Sequence, residues 1–305
     1  MSLASRGPLS ISLVVVNRDD PGIADTLAAL SRLPPEPGWT VETIVVDASD
    51  GRHDDMRRVF SQVRWIPFEH NPSKPTIPEQ RNRGVAASDS DVVVFIDASC
   101  VPDPGWLRAL IHPLAVEGEM LAAGSHRSAG KRSIREEFSH FVGNRSYLHE
   151  ASTLNLAVVR AVFERVGGFD EDFHYGSDID FTWRAVHAGC RIKYVPDAVV
   201  AHDWGSAWSE LRRSFVYGQA RYRLYTKHPS RMRRAWRDDP EAICYPLFLL
   251  IAPLAVTSPW IVALLAIPFF KNLRHRPLLT VIDHLAYGAG ILTAAGAGIV
   301  TKATR

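Results

Sequence analysis

"SDSDVVVFIDASC", residues 88–100, is the stretch on which the fold turns. Val92, Val93, Val94, Phe95 and Ile96 run without a polar interruption, end on Asp97, and give way to the small residues Ala98 and Ser99. An unalternating β-branched and aromatic run reads as a strand buried on both faces, as in the parallel sheet of an α/β domain. Open α/β sheets bind ligands beyond the carboxyl ends of their strands, where Asp97 falls. The same acid could instead do no more than cap a helix beginning near Pro104. Both readings stand on this stretch alone.

Similar runs precede it. "ISLVVV" (11–16), "VETIVV" (41–46), "VRWIPF" (63–68) and "DVVVFI" (91–96) read as strands, with helix-compatible segments near 22–31, 52–61 and 77–87 between them. Alternating strand and helix signals predict a mostly parallel sheet with crossover helices. Asn17, Asp47 and Asp97 then stand together at the carboxyl ends of the strands.

Composition narrows the class. The 305 residues carry a formal net charge of +2, too small for a dedicated nucleic-acid binder. Cys100, Cys190 and Cys244 are odd in number and far apart, which fits a reducing compartment rather than a disulfide framework. The amino-terminal apolar run is short and ends in charges, so it reads as a first strand and not as a secretory signal.

The carboxyl end differs in kind. From Ala242 to Phe270 no charged residue occurs, and after the basic "KNLRHRP" a second apolar stretch, Leu278 to Val300, contains Asp283 and His284. Roughly 20 apolar residues span a bilayer, so both stretches are candidates for membrane contact, against the alternative of a buried helical hairpin. The basic "RMRRAWR" just upstream suits anionic lipid head groups. Pro246, Pro253, Pro259 and Pro268 divide the first stretch, which favours a re-entrant or interfacial path. A full crossing would also place Lys271, Arg274 and Arg276 on the far side, against the positive-inside tendency. Ala286, Gly290, Ala294 and Gly298 put small residues on one helical face, suited to close packing within the chain or between two copies in a homo-oligomer.

Between these regions, "GGFDEDFHYGSDIDFTWRAVHAG" gathers Asp170, Glu171, Asp172, Asp178 and Asp180 around a Gly-Ser hinge before an amphipathic helix. Acids in a first turn favour the helix dipole, so capping competes with chemistry here. Arg184 lies one turn beyond Asp180 and is expected to pair with it. "RIKYVPDAVVAHDWGSA" then returns as an extended segment ending on His202.

With Asp47, Asp97, Asp178 and His202 in this order, residues 10 to 228 resemble the inverting family-2 glycosyltransferases of the GT-A fold, a Rossmann-like nucleotide-sugar-binding α/β architecture. "IVVDASDG" is similar to the family's "VVDDGSxD", "QRNRG" to "ARNxG", "IDASCVPDPGWL" to "xDADxxxxPxxL", and "GGFDEDFHYGSDIDFTWR" to "GGFDExxxxGEDxDLxxR". Four motifs in order carry the likeness, although each alone is weak. It implies transfer of a sugar from a nucleotide-sugar donor, a UDP-sugar being favoured, with inversion at the anomeric carbon. By residue match, Asp47 would accept from the nucleotide base, Arg81 would help hold the nucleotide, and Asp97 would bind donor and a divalent cation, Mg²⁺ or Mn²⁺. His202 would face that cation, and Asp178 would be the catalytic base. Two departures stand out: Ser99 replaces the second acid of the aspartate motif, which removes one hard anionic ligand, and Ser177 replaces the glutamate before the base.

The expected organisation is a catalytic domain over 1–230, on the cytoplasmic face, followed by a basic segment and membrane-associated helices over 231–305. The helix-spaced segment carrying Arg212, Arg213, Arg223 and Lys227 reads either as an ordinary core-packing helix with a solvated side or as a surface helix at the membrane interface. The second reading sets these cations beside a phosphate-bearing lipid, from which a lipid-linked or cell-envelope saccharide acceptor would follow. Two other classes compete. A nucleotidylyltransferase acting on sugar phosphates would need a Gly-rich phosphate loop after the first strand, and "NRDDPG" is a poor one. A catalytically silent, membrane-bound nucleotide-sugar-binding protein is suggested by Ser99 and Ser177 and opposed by the retained Asp97, Asp178 and His202.

Overall fold

The computed structural model describes residues 7–69, 77–129, 146–265, 269–270 and 277–303. The chain divides into two compact units, one running to Asp203 and the other starting at Trp204. The basic segment 271–276, with Lys271, Arg274 and Arg276, lies outside the described residues.

Nine strands form one sheet in the first unit among the described residues. They are β1 (Leu9–Asn17), β2 (Trp39–Asp47), β3 (Arg64–Pro67), β4 (Val92–Asp97), β5 (Cys100–Pro102), β6 (Leu121–Ser128), β7 (Tyr147–Leu148), β8 (Asn155–Val159) and β9 (Ile192–His202). Their spatial order is β3-β2-β1-β4-β8-β6-β9-β5, with β7 against β9. The four early strands β1 to β4 are all parallel, joined by helices Ile23–Leu30, Asp54–Val59 and Ile77–Ala86. Val92 to Ile96 of β4 are buried on both faces, as an uninterrupted apolar run requires. Strand β8 enters antiparallel between β4 and β6, and β6 then runs parallel to β9. The sheet is thus the mixed, mostly parallel sheet of an α/β fold. Strands β6, β7 and β8 were not foreseeable as the first four were, because "LAAGSHRS" has no β-branched run and "YL" is only two residues long.

Register fixes what the fold delivers. Asn17 pairs with Asp47, and Val16 with Asp97, so the ends of β1, β2 and β4 form one polar edge. The sheet is fastened on the side of β8 by Asn155, whose Nδ2 donates to the Ser125 and Ala198 carbonyls, 2.8 Å each, while its Oδ1 accepts from Trp106 Nε1 at 2.8 Å. Both N–H groups and the oxygen of this buried amide are engaged, so displacing a neighbour would leave polar groups unpaired. The strand β6 bulges between Gly124 and Ser125 at this point. A Cβ on Gly124 would overlap both Asn155 Nδ2 and the Ala198 carbonyl oxygen.

In the second unit, the helix Ala207–Lys227 starts at Ser206, whose side chain accepts from the Ser209 N–H, and packs on the helix Pro277–Ala303. A Cβ on Gly218 would overlap the Tyr287 carbonyl, and one on Gly290 the Phe215 carbonyl, so glycine lets the two backbones touch. Gly290 of the small-residue face therefore packs within the chain. The segment Pro277–Ala297 is the one helix, among the described residues, long and apolar enough to cross a membrane.

Gly124→Ala is expected to destabilise the fold by about 1–3 kcal/mol, since a backbone carbonyl and a fully bonded amide cannot move aside as a flexible side chain would. Denaturant unfolding of the variant checks it; a stability within error of the parent would contradict the role given to this contact.

Candidate active site

One turn of the helix Ile77–Ala86 builds the site. Gln80 Nε2 donates to the Asn17 carbonyl at 3.2 Å, Arg81 Nη2 reaches Asp97 Oδ1 at 3.3 Å, and Asn82 bonds to the "GGFDE" loop. The Asn82 amide accepts from Phe169 N at 2.8 Å, donates to Phe169 O at 2.9 Å, and donates to Glu171 Oε1 at 2.8 Å. It copies a strand partner for a loop that has none. Gly168, at φ +70°, leaves room for this amide. Arg81 is buried beneath Asp97 and lies over the Phe169 ring, 5.6 Å to the centroid.

Beyond the loop, Gly176 at φ +82° opens the helix Ser177–His187, placing Asp178 in its first turn. Asp178 Oδ1 accepts from Ile179 N at 2.9 Å. Burial pushes the Asp178 carboxyl up from the ordinary carboxylate range; the Arg81 guanidinium and the Ile179 N–H pull it back, and the charge of Asp97 adds to the rise. Asp178, Arg81 and Asp97 therefore feel one another. Asp180, two residues on, is wholly buried and pairs with Arg184 at 2.8 Å, while Arg184 Nη2 donates to the Gly168 carbonyl at 2.6 Å. This is the structural ion pair expected from the spacing of Asp180 and Arg184.

Asp47 lies at the neighbouring strand end with its carboxylate fully buried. It accepts from Asn17 Nδ2 at 2.9 Å and pairs with Arg57 at 3.2 Å. Arg57 in turn lies 5.7 Å from the Trp65 ring centroid. Asn17 also donates to Ser49 Oγ at 3.1 Å, and Ser49 accepts from the Asp19 N–H at 2.8 Å, ordering the loop after β1. Asp19 and Asp50 both take positive φ, 56° and 50°, a conformation aspartate tolerates better than most residues. Arg52 ties these loops together, 2.7 Å from Asp19.

His202 ends β9 opposite Cys100, across from the corner that follows Asp97. Its Nδ1 is 3.2 Å from Ser99 Oγ. Ser99, which departs from the acid of the family motif, thus holds the imidazole. Among the described residues, no group of three or more His, Cys, Asp or Glu could hold a metal ion unaided. Asp97 offers one hard carboxylate and His202, tied to the same corner through Ser99, one imidazole, so donor oxygens would have to complete the shell of any divalent cation bound there.

Asp97, Arg81 and Asp178 thus come together at one strand end, Asp47 lies one strand over, and His202 is joined to the Asp97 corner through Ser99. Arg57 and Asn82 are the working residues sequence reasoning passed over. Asn82 sits inside the quoted "QRNRG" and could have been found there; Arg57 carries no local signal.

Because folding raises the proton affinity of Asp178, its contribution favours the fold below the ordinary carboxylate range and is lost as pH rises through the folded value. Asp178→Asn should therefore melt close to the parent near about pH 4 and above it near about pH 8. Melting curves of the two proteins across that range check the sign; a gap that does not widen would count against the raised proton affinity of Asp178.

Residues 8–216 match the family described as "Glycosyltransferase like family 2". Pre-mycofactocin glycosyltransferase of Mycobacterium tuberculosis is 29% identical over 209 residues, 63% of this chain and 44% of its own length, so this chain spans less than half of that relative. Glycosyltransferase AglE of Haloferax volcanii is 25% identical over 204 residues, 64% of this chain and 67% of its own. Among solved structures, the mannosyltransferase PcManGT from Pyrobaculum calidifontis, in complex with GDP-Man and Mn²⁺, is similar with a TM-score of 0.67 at 19% identity, covering 94% of this chain and 87% of that one. GalNAc-T7 with UDP, GalNAc and Mn²⁺ is similar at a TM-score of 0.53 and 14% identity, covering 74% and 51%. By its motifs, its sheet and this match over more than half its length, the chain belongs to glycosyltransferase family 2.

Proposed function

We propose that this protein is an inverting glycosyltransferase, moving a sugar from a nucleotide-sugar donor to a hydroxyl of a lipid-linked or cell-envelope saccharide, with its second unit associated with a membrane. The observation that carries the reading is the convergence of Asp97, Arg81 and Asp178 at the carboxyl end of β4. Family membership and the nucleotide-sugars in PcManGT and GalNAc-T7 support the donor class.

Asp47 accepts from an N–H on the edge of the nucleotide base, with Asn17 and Arg57 fixing its carboxylate. Arg81 and Asp97 face the diphosphate. Asp97 and His202 would hold a divalent cation, Mg²⁺ or Mn²⁺, a reading supported by the Mn²⁺ in both neighbours. When bound, such a cation neutralises the charge that develops on the departing diphosphate.

The acceptor oxygen attacks the anomeric carbon from the face opposite the leaving group. As the new C–O bond forms and the bond to the diphosphate oxygen breaks, the hydroxyl proton passes to Asp178. A carboxylate whose proton affinity is raised by burial is a stronger base than an exposed one, and closer to the working pH. The Arg81 guanidinium opposes that rise. The nucleotidylyltransferase reading finds no comparable support: "NRDDPG" folds into a loop braced by Asp20, which accepts from the Gly22 N–H, and by Asp19, paired with Arg52, rather than into a glycine-rich phosphate cradle.

Asp178→Asn should cut transfer by about 100-fold or more while nucleotide-sugar affinity stays within a few-fold, because the amide keeps the shape and cannot take the proton. Steady-state rates beside donor titrations separate the two effects, and near-normal turnover would sink the assignment. Asp97→Ala should weaken metal-dependent donor binding together with turnover, whereas Ser99→Asp should tighten the metal or leave it unchanged by adding a hard oxygen ligand. Activity of the parent protein that is indifferent to a chelator would contradict the metal role.

A further inference from the structure

The second unit combines features that a simple membrane span does not. The helix Pro277–Ala297 passes on length and composition, yet it carries a polar seam. Asp283 Oδ1 accepts from Ser214 Oγ, His284 Nδ1 lies 3.0 Å from the Tyr245 hydroxyl, and Tyr287 accepts from Arg221 Nε at 3.0 Å. Tyr287 and Tyr225 both donate to Asp239, at 3.1 and 3.0 Å, and Asp239 pairs with Arg221 at 3.2 Å. Thr280, Asp283 and His284 are buried in this packing.

The partner along that seam is Ala207–Lys227, and it decides the matter. It bears Glu210, Arg212, Arg213, Arg221, Arg223 and Lys227 in 21 residues, with Arg212, Arg223 and Lys227 exposed. Its backbone touches that of Pro277–Ala303 at Gly218 and Gly290, so wherever one helix goes the other goes with it. A bilayer core that admitted the apolar helix would have to admit the charged one.

Apolar surface is concentrated elsewhere in the unit. Leu250, Leu254, Val256 and Trp260 are 63%, 58%, 89% and 68% exposed, joined by Leu247, Val262 and Leu264, in a stretch with no charge between Ala242 and Phe270. Monomeric soluble proteins rarely leave such a contiguous surface uncovered. Arg231, Arg233, Arg234 and Arg237 precede it, and Trp236 is exposed among them, the pairing of cations and indole that suits a lipid head-group layer.

We infer that the second unit binds one leaflet of an anionic membrane from a single side, sinking the 247–264 belt to the depth of the acyl boundary, and that Pro277–Ala297 does not cross. The helix pair lies outside the hydrocarbon, and its polar seam is ordinary protein interior. The inference rests on the membrane association proposed above.

The test uses the full chain with Cys244→Ser, since Cys244 is the exposed cysteine while Cys100 and Cys190 are buried. Single reporters Arg58→Cys, Arg274→Cys and Ala297→Cys are labelled with a membrane-impermeant maleimide in sealed inside-out vesicles from the expressing cells. All three should label equally before and after detergent. Shielding of Ala297→Cys until detergent is added means one crossing, and shielding of Arg274→Cys means a hairpin; either overturns the inference and leaves membrane association standing. In parallel, purified protein is floated with vesicles of phosphatidylcholine and phosphatidylglycerol. Leu254→Asp with Val256→Asp should lower binding about tenfold or more, and Arg233→Ala with Arg234→Ala should do so only on the anionic vesicles. Protein that ignores vesicles, or that buries the belt by self-association in their presence, overturns the inference and the membrane reading together.

Discussion

The site depends on how closely the helix Ile77–Ala86 approaches β1. Gly84 lies so near the strand that a Cβ there would come within 2.5 Å of Val14 Cγ1 and 3.3 Å of Val46 Cγ2. Only because the helix backbone rests on the sheet can three consecutive side chains reach three different elements. Gln80 meets the end of β1, Arg81 the end of β4, and Asn82 the loop that leads to Asp178. Any side chain at position 84 would lift that turn and all three contacts with it. A close-packed interior passes such a displacement on instead of absorbing it. The glycine of "QRNRG" is therefore a distance constraint, and the residues before it are what the constraint positions.

Electrostatics extends this mechanical coupling. Arg81 is the cation that faces both Asp97, whose side chain is 36% exposed, and the half-buried Asp178. Loss of hydration is the main reason that the proton affinity of Asp178 is raised, and the charge of Asp97 adds to it. Asp47 stands apart from this corner, because Arg57 pairs with it on the neighbouring strand.

The parallel half of the fold was legible in the sequence for a physical reason. A strand buried on both faces must be apolar throughout, as the run of β4 before Asp97 is, while β1 and β2 carry such a run in their second halves, before Asn17 and Asp47. Strand β6 escapes because half of it, from Gly124 to Ser128, is small or polar, and its neighbour β8 is identified by pairing rather than by pattern. Asp97 and Asp178 could be found because motif spacing marks their positions, and the Asp180 pair because helical geometry sets it. Arg57 could not, since its partner Asp47 is ten residues away across a loop and nothing local marks the meeting. Ser99 is the instructive case. From sequence it is a lost ligand, whereas in the structure its hydroxyl holds His202 Nδ1. The position still serves the site by orienting an imidazole.

The second unit shows where reading by composition stops. Hydropathy counts residues along one chain segment and is blind to the neighbour that the segment packs against. Pro277–Ala297 has the apolar content of a spanning helix, but its glycines bring it against a helix with six charged residues, and its own Asp283, His284 and Tyr287 are consumed in holding that neighbour and the segment around Asp239. Conversely, the divided stretch from Leu247 to Leu264, broken by proline into short 3₁₀ turns, looks the poorer membrane segment and carries the larger exposed apolar surface. Short helical turns leave backbone groups in need of partners, which a head-group region with water can supply and a hydrocarbon core cannot. Apolar side chains on such a backbone can enter a bilayer only as far as that backbone can stay wet. On the membrane-bound reading, the depth of this unit would therefore be limited by its prolines as much as by the charges of the helix beside it.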